Sequence, residues 1–165
     1  MPEVGCQLYK QIRVSGPDAT DFLQGQLTQD INALQDAGSL LAAWCNPKGR
    51  VISVIRLRAL DNAIGMLVPA SMSEKLLQRL TMYRLRARVE LTVEDPPVDG
   101  IAPTDRDPQA LIEAGIPWID ESNAEAFTPH MLNLDALGAI SFTKGCYTGQ
   151  EVVARTEHLG NSKRR

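Results

Sequence analysis

Apolar and polar residues alternate at the start of the chain, and later apolar residues recur at helical spacing. Residues 8, 10, 12 and 14 are Leu, Lys, Ile and Val, and this period of two predicts a strand with one mostly apolar face. Pro17, followed by apolar residues at 19, 22 and 23, predicts a short helix. Turn residues at 46–49 and 61–62 then separate three predicted strands, which form an antiparallel meander over 39–45, 50–60 and 63–68.

A second helix and a further strand complete this unit. The pair Ser71 and Glu74 resembles a capping box, and apolar residues at 76, 77, 80 and 83 keep helical spacing. Residues 86–94 alternate again and predict a strand. The order is β-α-β-β-β-α-β, so we predict an α+β fold: a ferredoxin-like split βαβ unit with an antiparallel sheet, packed helices and one additional strand.

The second part of the chain is less regular. Residues 95–107 are rich in proline and acids and are predicted to be a connector. Asp107 and Pro108 then begin a short helix that ends before Gly115. Residues 139–142 predict a buried strand, a loop follows, and residues 150–158 have helical composition. We therefore expect one domain, 1–165, divided into 1–94, a connector over 95–107, and 108–165.

Composition narrows the classes of function. The 165 residues are 44% apolar, which is enough for one real core, and a net charge of −3 argues against nucleic acid or an anionic membrane as a direct partner. We find no signal peptide or spanning segment in the sequence and expect a cytoplasmic protein. Cys6, Cys45 and Cys146 are scattered, which argues against a disulfide framework. With His130 and His158 as the only histidines, the spacing predicts no metal site.

Residues 144–155, KGCYTGQEVVAR, form the most site-like segment, which we call the signature. A thiol, two glycines, an amide, a carboxylate and two cations lie within twelve residues, a mixture that periodic packing does not require. The alternative is that the glycines supply turns before a helix and the cysteine is a small buried apolar residue. The candidate site residues here are Lys144, Cys146, Tyr147, Gln150, Glu151 and Arg155.

Two further segments accompany the signature. The first motif runs over 15–30, with SGPDA at 15–19 and FLQGQLTQD at 22–30, and the second motif is NPKGR at 46–50. Together the three segments resemble the folate-binding YgfZ family, whose members are related to the aminomethyltransferase of the glycine cleavage system. Members are usually longer, with a second half inserted before Gly115 and a β-barrel after the signature, so the chain looks like an abbreviated relative.

This resemblance implies a function and a set of residues. It implies a tetrahydrofolate-binding accessory protein that supports iron-sulfur cluster assembly or repair and so affects tRNA modification indirectly. Its partners would be folate and either iron-sulfur enzymes or assembly factors, with Cys146 as the functional thiol. In relatives the second motif borders the folate cavity, so Trp44, Lys48 and Arg50 are candidates, and the two cations would meet the glutamate tail. Gln26 of the first motif is a further candidate.

The residues of the signature also suggest chemistry. Lys144 and a helix start lower a thiol's pKa, which predicts a thiolate-prone Cys146, although no histidine adjoins it as a base. Gln150 and Glu151 offer an amide and a carboxylate side by side, which suits a pterin. Glu151 alternatively stabilises a helix N-terminus, and Tyr147 either stacks on a ring or fills the core.

Two other functions remain open. One is a folate-dependent aminomethyl or one-carbon transferase, which needs a carboxylate near the reactive folate nitrogen that we cannot assign from the motifs. The other is a truncated remnant that does not bind folate alone, or whose cavity is completed by self-association. The sequence does not choose between these alternatives or identify the client enzyme.

Overall fold

The computed structural model describes residues 8–97, 99 and 101–160. Its strands are β1 (Tyr9–Ser15), β2 (Ser39–Cys45), β3 (Val51–Leu60), β4 (Ala63–Pro69) and β5 (Glu90–Glu94). Its α-helices are α1 (Ala19–Gln24), α2 (Leu34–Ala37), α3 (Ser73–Tyr83), α4 (Pro103–Arg106), α5 (Pro108–Glu113) and α6 (Gln150–Leu159). Short 3₁₀ helices cover Ile31–Ala33, Ala70–Met72 and His130–Leu132.

The five strands form one antiparallel sheet in the order β2-β3-β4-β1-β5. The five predicted strands and the two predicted helices of this unit occur in the predicted order, and the structure adds a short helix, α2, before β2. The additional strand of the split βαβ unit is β2, at one edge of the sheet. The register places Ile12 beside Met66 on β4 and beside Val93 on β5. Because β1 is hydrogen-bonded on both sides, by β4 and by β5, it fixes the start of the helix that follows it, α1.

Both faces of the sheet are covered. Alternation along β2 puts Trp44 into the core under α1 and α3, and puts Cys45 into a second cluster on the opposite face. That second cluster is built mainly from the last third of the chain and includes Ile119, Ala139 and Val153 of α6. The sheet therefore separates the helical core from the segment that carries the signature.

Two predictions for the second part of the chain need correction. Residues 139–142 are buried only in part and do not form a strand. Their main chain is held instead by the loop after α1: Thr28 Oγ1 donates to the Ala139 oxygen at 2.7 Å, and the Ser141 amide donates to the Thr28 oxygen at 2.9 Å. The predicted connector over 95–107 contains a short helix, α4, whose buried Asp105 pairs with Arg56 at 3.0 Å.

The helix ends show why local signals succeed or fail. Asp107 caps α5 as predicted, since its side chain accepts from the Gln109 amide. The expected capping box at Ser71 does not form: α3 begins at Ser73 after a 3₁₀ turn, without a side-chain cap.

Across the described residues, no helix combines the length and the apolar character needed to cross a membrane.

Candidate functional site

Lys144 joins the signature to the first motif. Its Nζ donates to three backbone oxygens, those of Gln24, Leu27 and Gln29, at 2.8, 2.7 and 2.7 Å. Those carbonyls belong to the end of α1 and the turn after it, where a helix leaves acceptors without intrahelical partners. An ammonium has three N–H donors, so all of its capacity is used inside the protein. Lys144 therefore holds the site together and has no donor left for a ligand.

The surroundings of Lys144 are partly apolar. Burial lowers the pKa of Lys144 to about 8, and the charge of Asp30 acts in the opposite direction. The ammonium lies 5.0 Å from the centre of the Tyr147 ring, a cation–π distance. Tyr147 is buried, which raises the pKa of its hydroxyl well above the usual range. Of the two roles considered for Tyr147, its position in the structure is that of a core residue.

The second motif packs directly on the start of α6. Gly149 has φ +84°, and a Cβ there would lie 2.5 Å from the Asn46 oxygen and 3.2 Å from the Gly49 Cα. Gly49 has φ +70°, and a Cβ there would lie 2.8 Å from the Val152 Cβ. The two backbones thus approach too closely for any side chain. The two glycines have a structural role, and that role brings the second motif against the signature.

Cys146 is exposed on the loop between these contacts, whereas Cys45 is buried beneath the same loop. Burial raises the pKa of the Cys45 thiol to about 12, so that cysteine is inert at neutral pH. Cys6 lies outside the described residues. Among the described cysteines, Cys146 is therefore the one a reactant reaches from solvent. The thiolate character predicted for it stays a prediction.

The remaining signature residues lie on the first turns of α6. Gln150 Nε2 donates to the Gly145 oxygen at 3.3 Å and so closes the loop around Cys146. Glu151 and Arg155 form an exposed i,i+4 ion pair at 3.5 Å, with relative side-chain exposures of 88% and 66%. Pairs of this kind contribute little to stability, so both side chains can turn to another partner at low cost.

Gln26 lies in the loop whose backbone oxygens accept hydrogen bonds from Lys144. The neighbouring Gly25 oxygen accepts from the Thr148 amide at 3.2 Å, so this loop and the signature are bonded on both sides of Gln26. The Oε1 of Gln26 is buried and has no hydrogen-bond partner in the described part of the chain. A buried acceptor without a donor is uncommon, and because this oxygen is shielded from solvent, the Gln26 side chain has to turn before a ligand's N–H or O–H can reach it.

The structure does not bring Trp44 to this surface. Its ring lies in the helical core, fully buried, with Arg79 over one face at 5.7 Å and Tyr83 at its edge. Strand alternation is the reason, because Trp44 and its neighbour Cys45 point to opposite faces of the sheet. A ligand beside Cys146 would be separated from the indole by the sheet itself.

The two cations of the second motif do remain near the surface. Lys48 is exposed at the tip of the turn, and Arg50 is partly exposed, with its guanidinium donating to the Ala126 oxygen at 2.9 Å. Asn46 Oδ1 accepts from the amides of both residues, at 2.9 and 3.0 Å, and so shapes the turn. The two cations therefore flank Gly49, the residue of this turn that packs against α6.

Sequence reasoning missed several residues that build the site. Glu125 accepts from Asn46 Nδ2 at 2.9 Å and from Arg79 at 3.0 Å, and these bonds hold its pKa below the usual range. Gln29 Nε2 donates to the Leu41 and Gly138 oxygens, which ties the first motif to the last third of the chain. No local pattern signals such contacts, since the partners of Glu125 are side chains 79 and 46 residues away and those of Gln29 are main-chain oxygens 12 and 109 residues away.

Comparison with known proteins identifies relatives over nearly the whole chain. The chain is 32% identical over 218 aligned residues to the tRNA-modifying protein YgfZ of Hamiltonella defensa, covering 93% of this chain and 65% of that protein. It is 32% identical to the protein of the same name from Klebsiella pneumoniae, covering 92% of this chain and 66% of that protein. An uncharacterized protein of Haemophilus influenzae is also 32% identical, covering 94% and 69%. No family model matches the chain.

The relatives are longer than this chain. It spans about two thirds of the length of the YgfZ proteins it matches, and the alignments contain more positions than its 165 residues. The relatives therefore carry internal residues that have no counterpart here, as the spacing of the motifs predicted.

A solved structure supports the fold. Aminomethyltransferase T of the glycine cleavage system from Bartonella henselae superimposes with a TM-score of 0.50 at 19% identity, over 69% of this chain and 31% of that one. At 19% identity, the similarity between the two structures shows only that they share a fold. That shared fold agrees with the α+β architecture predicted from the sequence. The extent of similarity to several proteins of one name shows that the chain belongs to the YgfZ family.

Proposed function

We propose that this protein binds tetrahydrofolate on the surface formed by the signature and the first and second motifs, and acts as an accessory to iron-sulfur enzymes that modify tRNA. The observation that carries the proposal is the convergence of three motifs up to 120 residues apart in sequence. Among the described residues of these three motifs, their meeting leaves one exposed thiol, Cys146, and one buried acceptor without a partner, the Oε1 of Gln26.

The chemistry of this surface suits a reduced pterin. Gln26 offers an acceptor for a ring N–H once its side chain turns toward the surface, and the amide of Gln150, on the first turn of α6, offers both a donor and an acceptor. Lys48 and Arg50 stand on the adjoining turn, where cations attract the carboxylates of a glutamate tail. The names of the relatives support a role in tRNA modification, and the aminomethyltransferase fold supports a folate as the ligand. The cytoplasm remains the proposed location.

Calorimetric titration with tetrahydrofolate tests the binding step. We expect saturable binding by the parent protein and a loss of affinity of at least about tenfold in Gln26→Ala, because a buried hydrogen bond of about 1.5 kcal/mol corresponds to that factor. Gln78→Ala is the matched control, since Gln78 is an exposed glutamine on α3. Absence of binding by the folded parent protein would refute a folate site. It would favour the alternative that the chain is a truncated relative that does not bind folate by itself.

Complementation tests the accessory role. In a bacterial strain that lacks its own YgfZ protein, the parent chain should restore tRNA modification and iron-sulfur enzyme activity. Cys146→Ala at equal abundance should not. Full rescue by Cys146→Ala would refute the role given to the thiol. Formation of methylenetetrahydrofolate from an aminomethyl donor by the purified chain would instead establish the one-carbon transferase.

A further inference from the structure

A second group of polar side chains lies at the other end of α6, away from the signature. His130 comes from the 3₁₀ helix His130–Leu132, Asp135 from the turn that follows it, and Glu157 from the last turns of α6. One ligand atom from each of the three lies within 4.8 Å of the others. Glu157 is seven residues beyond Gln150, about 10 Å along the helix axis. The group is therefore distinct from the surface around Cys146.

The imidazole is the unusual member of the group. His130 is 2% exposed, and its Nε2 lies 2.9 Å from Glu157 Oε2. Because a carboxylate only accepts, Nε2 carries the proton of this bond. The other ring nitrogen, Nδ1, is buried and has no hydrogen-bond partner among the described residues. A buried histidine with a purely structural role ordinarily uses both nitrogens, so this ring is not explained by its hydrogen bonds.

The distances are near those of a cation site, with small movements needed. Zinc binds imidazole nitrogen and carboxylate oxygen at about 2.0–2.2 Å, so the ligand atoms of a tetrahedral site lie about 3.3–3.6 Å apart. The Nε2 and Oε2 atoms, at 2.9 Å, need to open by about 0.5 Å to admit the ion. Ligand atoms of the group that lie as far apart as 4.8 Å need to close by about 1.5 Å at most.

We propose that His130, Asp135 and Glu157 form a site for a divalent transition-metal ion of the zinc type. The ion takes the place of the proton between Nε2 and Glu157, and that proton moves to Nδ1. Since Nδ1 lacks a partner whether or not it is protonated, this tautomer adds no new unsatisfied group. Three protein ligands leave one tetrahedral position for water or a fourth ligand. One imidazole with two carboxylates favours Zn²⁺ over Mg²⁺, which prefers oxygen ligands alone.

The experiment is a calorimetric titration of chelator-treated protein with Zn²⁺ and, separately, with Mg²⁺. It uses a Cys146→Ser background, so that the exposed thiol does not bind zinc. We expect one Zn²⁺ per chain and no saturable binding of Mg²⁺. His130→Gln and Glu157→Gln should each weaken Zn²⁺ binding by at least about tenfold. His158→Gln is the matched control, because it removes the exposed histidine beside Glu157 on the same helix, and it should change the affinity by less than about twofold.

Each outcome decides the proposal. Circular dichroism confirms that each variant is folded, and Glu157→Gln carries the test if His130→Gln does not fold, because Glu157 is partly exposed. Failure of the folded background protein to bind Zn²⁺ below about 1 mM would overturn the site. So would equal affinities for Glu157→Gln and His158→Gln, because the group would then be an ion pair that only anchors α6.

Discussion

Replacing Lys144 by methionine removes the three bonds that join the signature to the first motif. Each bond to a backbone oxygen is 2.7–2.8 Å long, and a hydrogen bond of this kind contributes about 1 kcal/mol net. Methionine keeps the length of the side chain but offers no donor, so three carbonyls lose their partner. Some of them regain water, because the loop is only partly buried. We expect the free energy of unfolding to fall by about 2–3 kcal/mol.

Equilibrium unfolding in urea measures this change. With a slope of about 2 kcal/mol per molar urea, the midpoint should fall by roughly 1–1.5 M. Lys48→Met is the matched control, since Lys48 is an exposed lysine at the tip of the second motif, and it should change the stability by less than about 0.5 kcal/mol. Lys144→Arg should give an intermediate loss, because a planar guanidinium does not direct three donors as a tetrahedral ammonium does.

The reasoning would be refuted if Lys144→Met and Lys48→Met had the same midpoint. That result would mean that the three carbonyls are solvated equally well without the ammonium. A changed slope with an unchanged midpoint would indicate a change in the surface exposed on unfolding and would not support the predicted loss either.

Three further predictions concern the same region. Gly149→Ala should lower the free energy of unfolding by about 2–4 kcal/mol, because Gly149 has φ +84° and the added Cβ would lie 2.5 Å from a backbone oxygen. Gly145→Ala is the control: its Cβ would have nothing within 4 Å, so the same urea assay should show almost no change. Burial lowers the pKa of Lys144 from 10.5 to about 8, so the unfolded chain binds more protons between these values. The stability difference between the parent and Lys144→Met should therefore grow as pH rises from 8 to 10.5, and a decrease would contradict the lowered pKa. Iodoacetamide at pH 8 should modify Cys146 and spare Cys45 until denaturant is added, as peptide mass spectrometry would show; equal labelling would contradict their different burial.

The split βαβ unit was predictable because its signals are local. Alternation, turn residues and one helical stripe occur in the order that the structure shows, from β1 to β5. The last third of the chain gave weaker signals. Residues 139–142 have strand composition, but the loop at Thr28, rather than a neighbouring strand, supplies their backbone partners. A short apolar run carries no information about which partner it will meet.

The candidate site was predictable in its residues but not in their roles. The mixture of groups in the signature indicated a site, yet the use of Lys144 inside the protein depends on carbonyls 115–120 residues away. Every residue carries a main-chain carbonyl whatever its side chain, so no sequence motif shows which carbonyls will accept from Lys144. The position of Trp44, by contrast, follows from alternation along β2, which the sequence pattern contains.

The anchoring of the end of α1 by Lys144 also bears on how the chain folds. A six-residue helix is too short to persist alone, and its last carbonyls are capped from a point 120 residues later in the chain. The first motif cannot reach its final arrangement while the signature is still undocked. In hydrogen exchange, the amides of the two segments should open as one cooperative unit, with a single opening free energy. A nascent or clipped chain without the signature would lack both the cap on the last carbonyls of α1 and the packing of Val153 against the sheet.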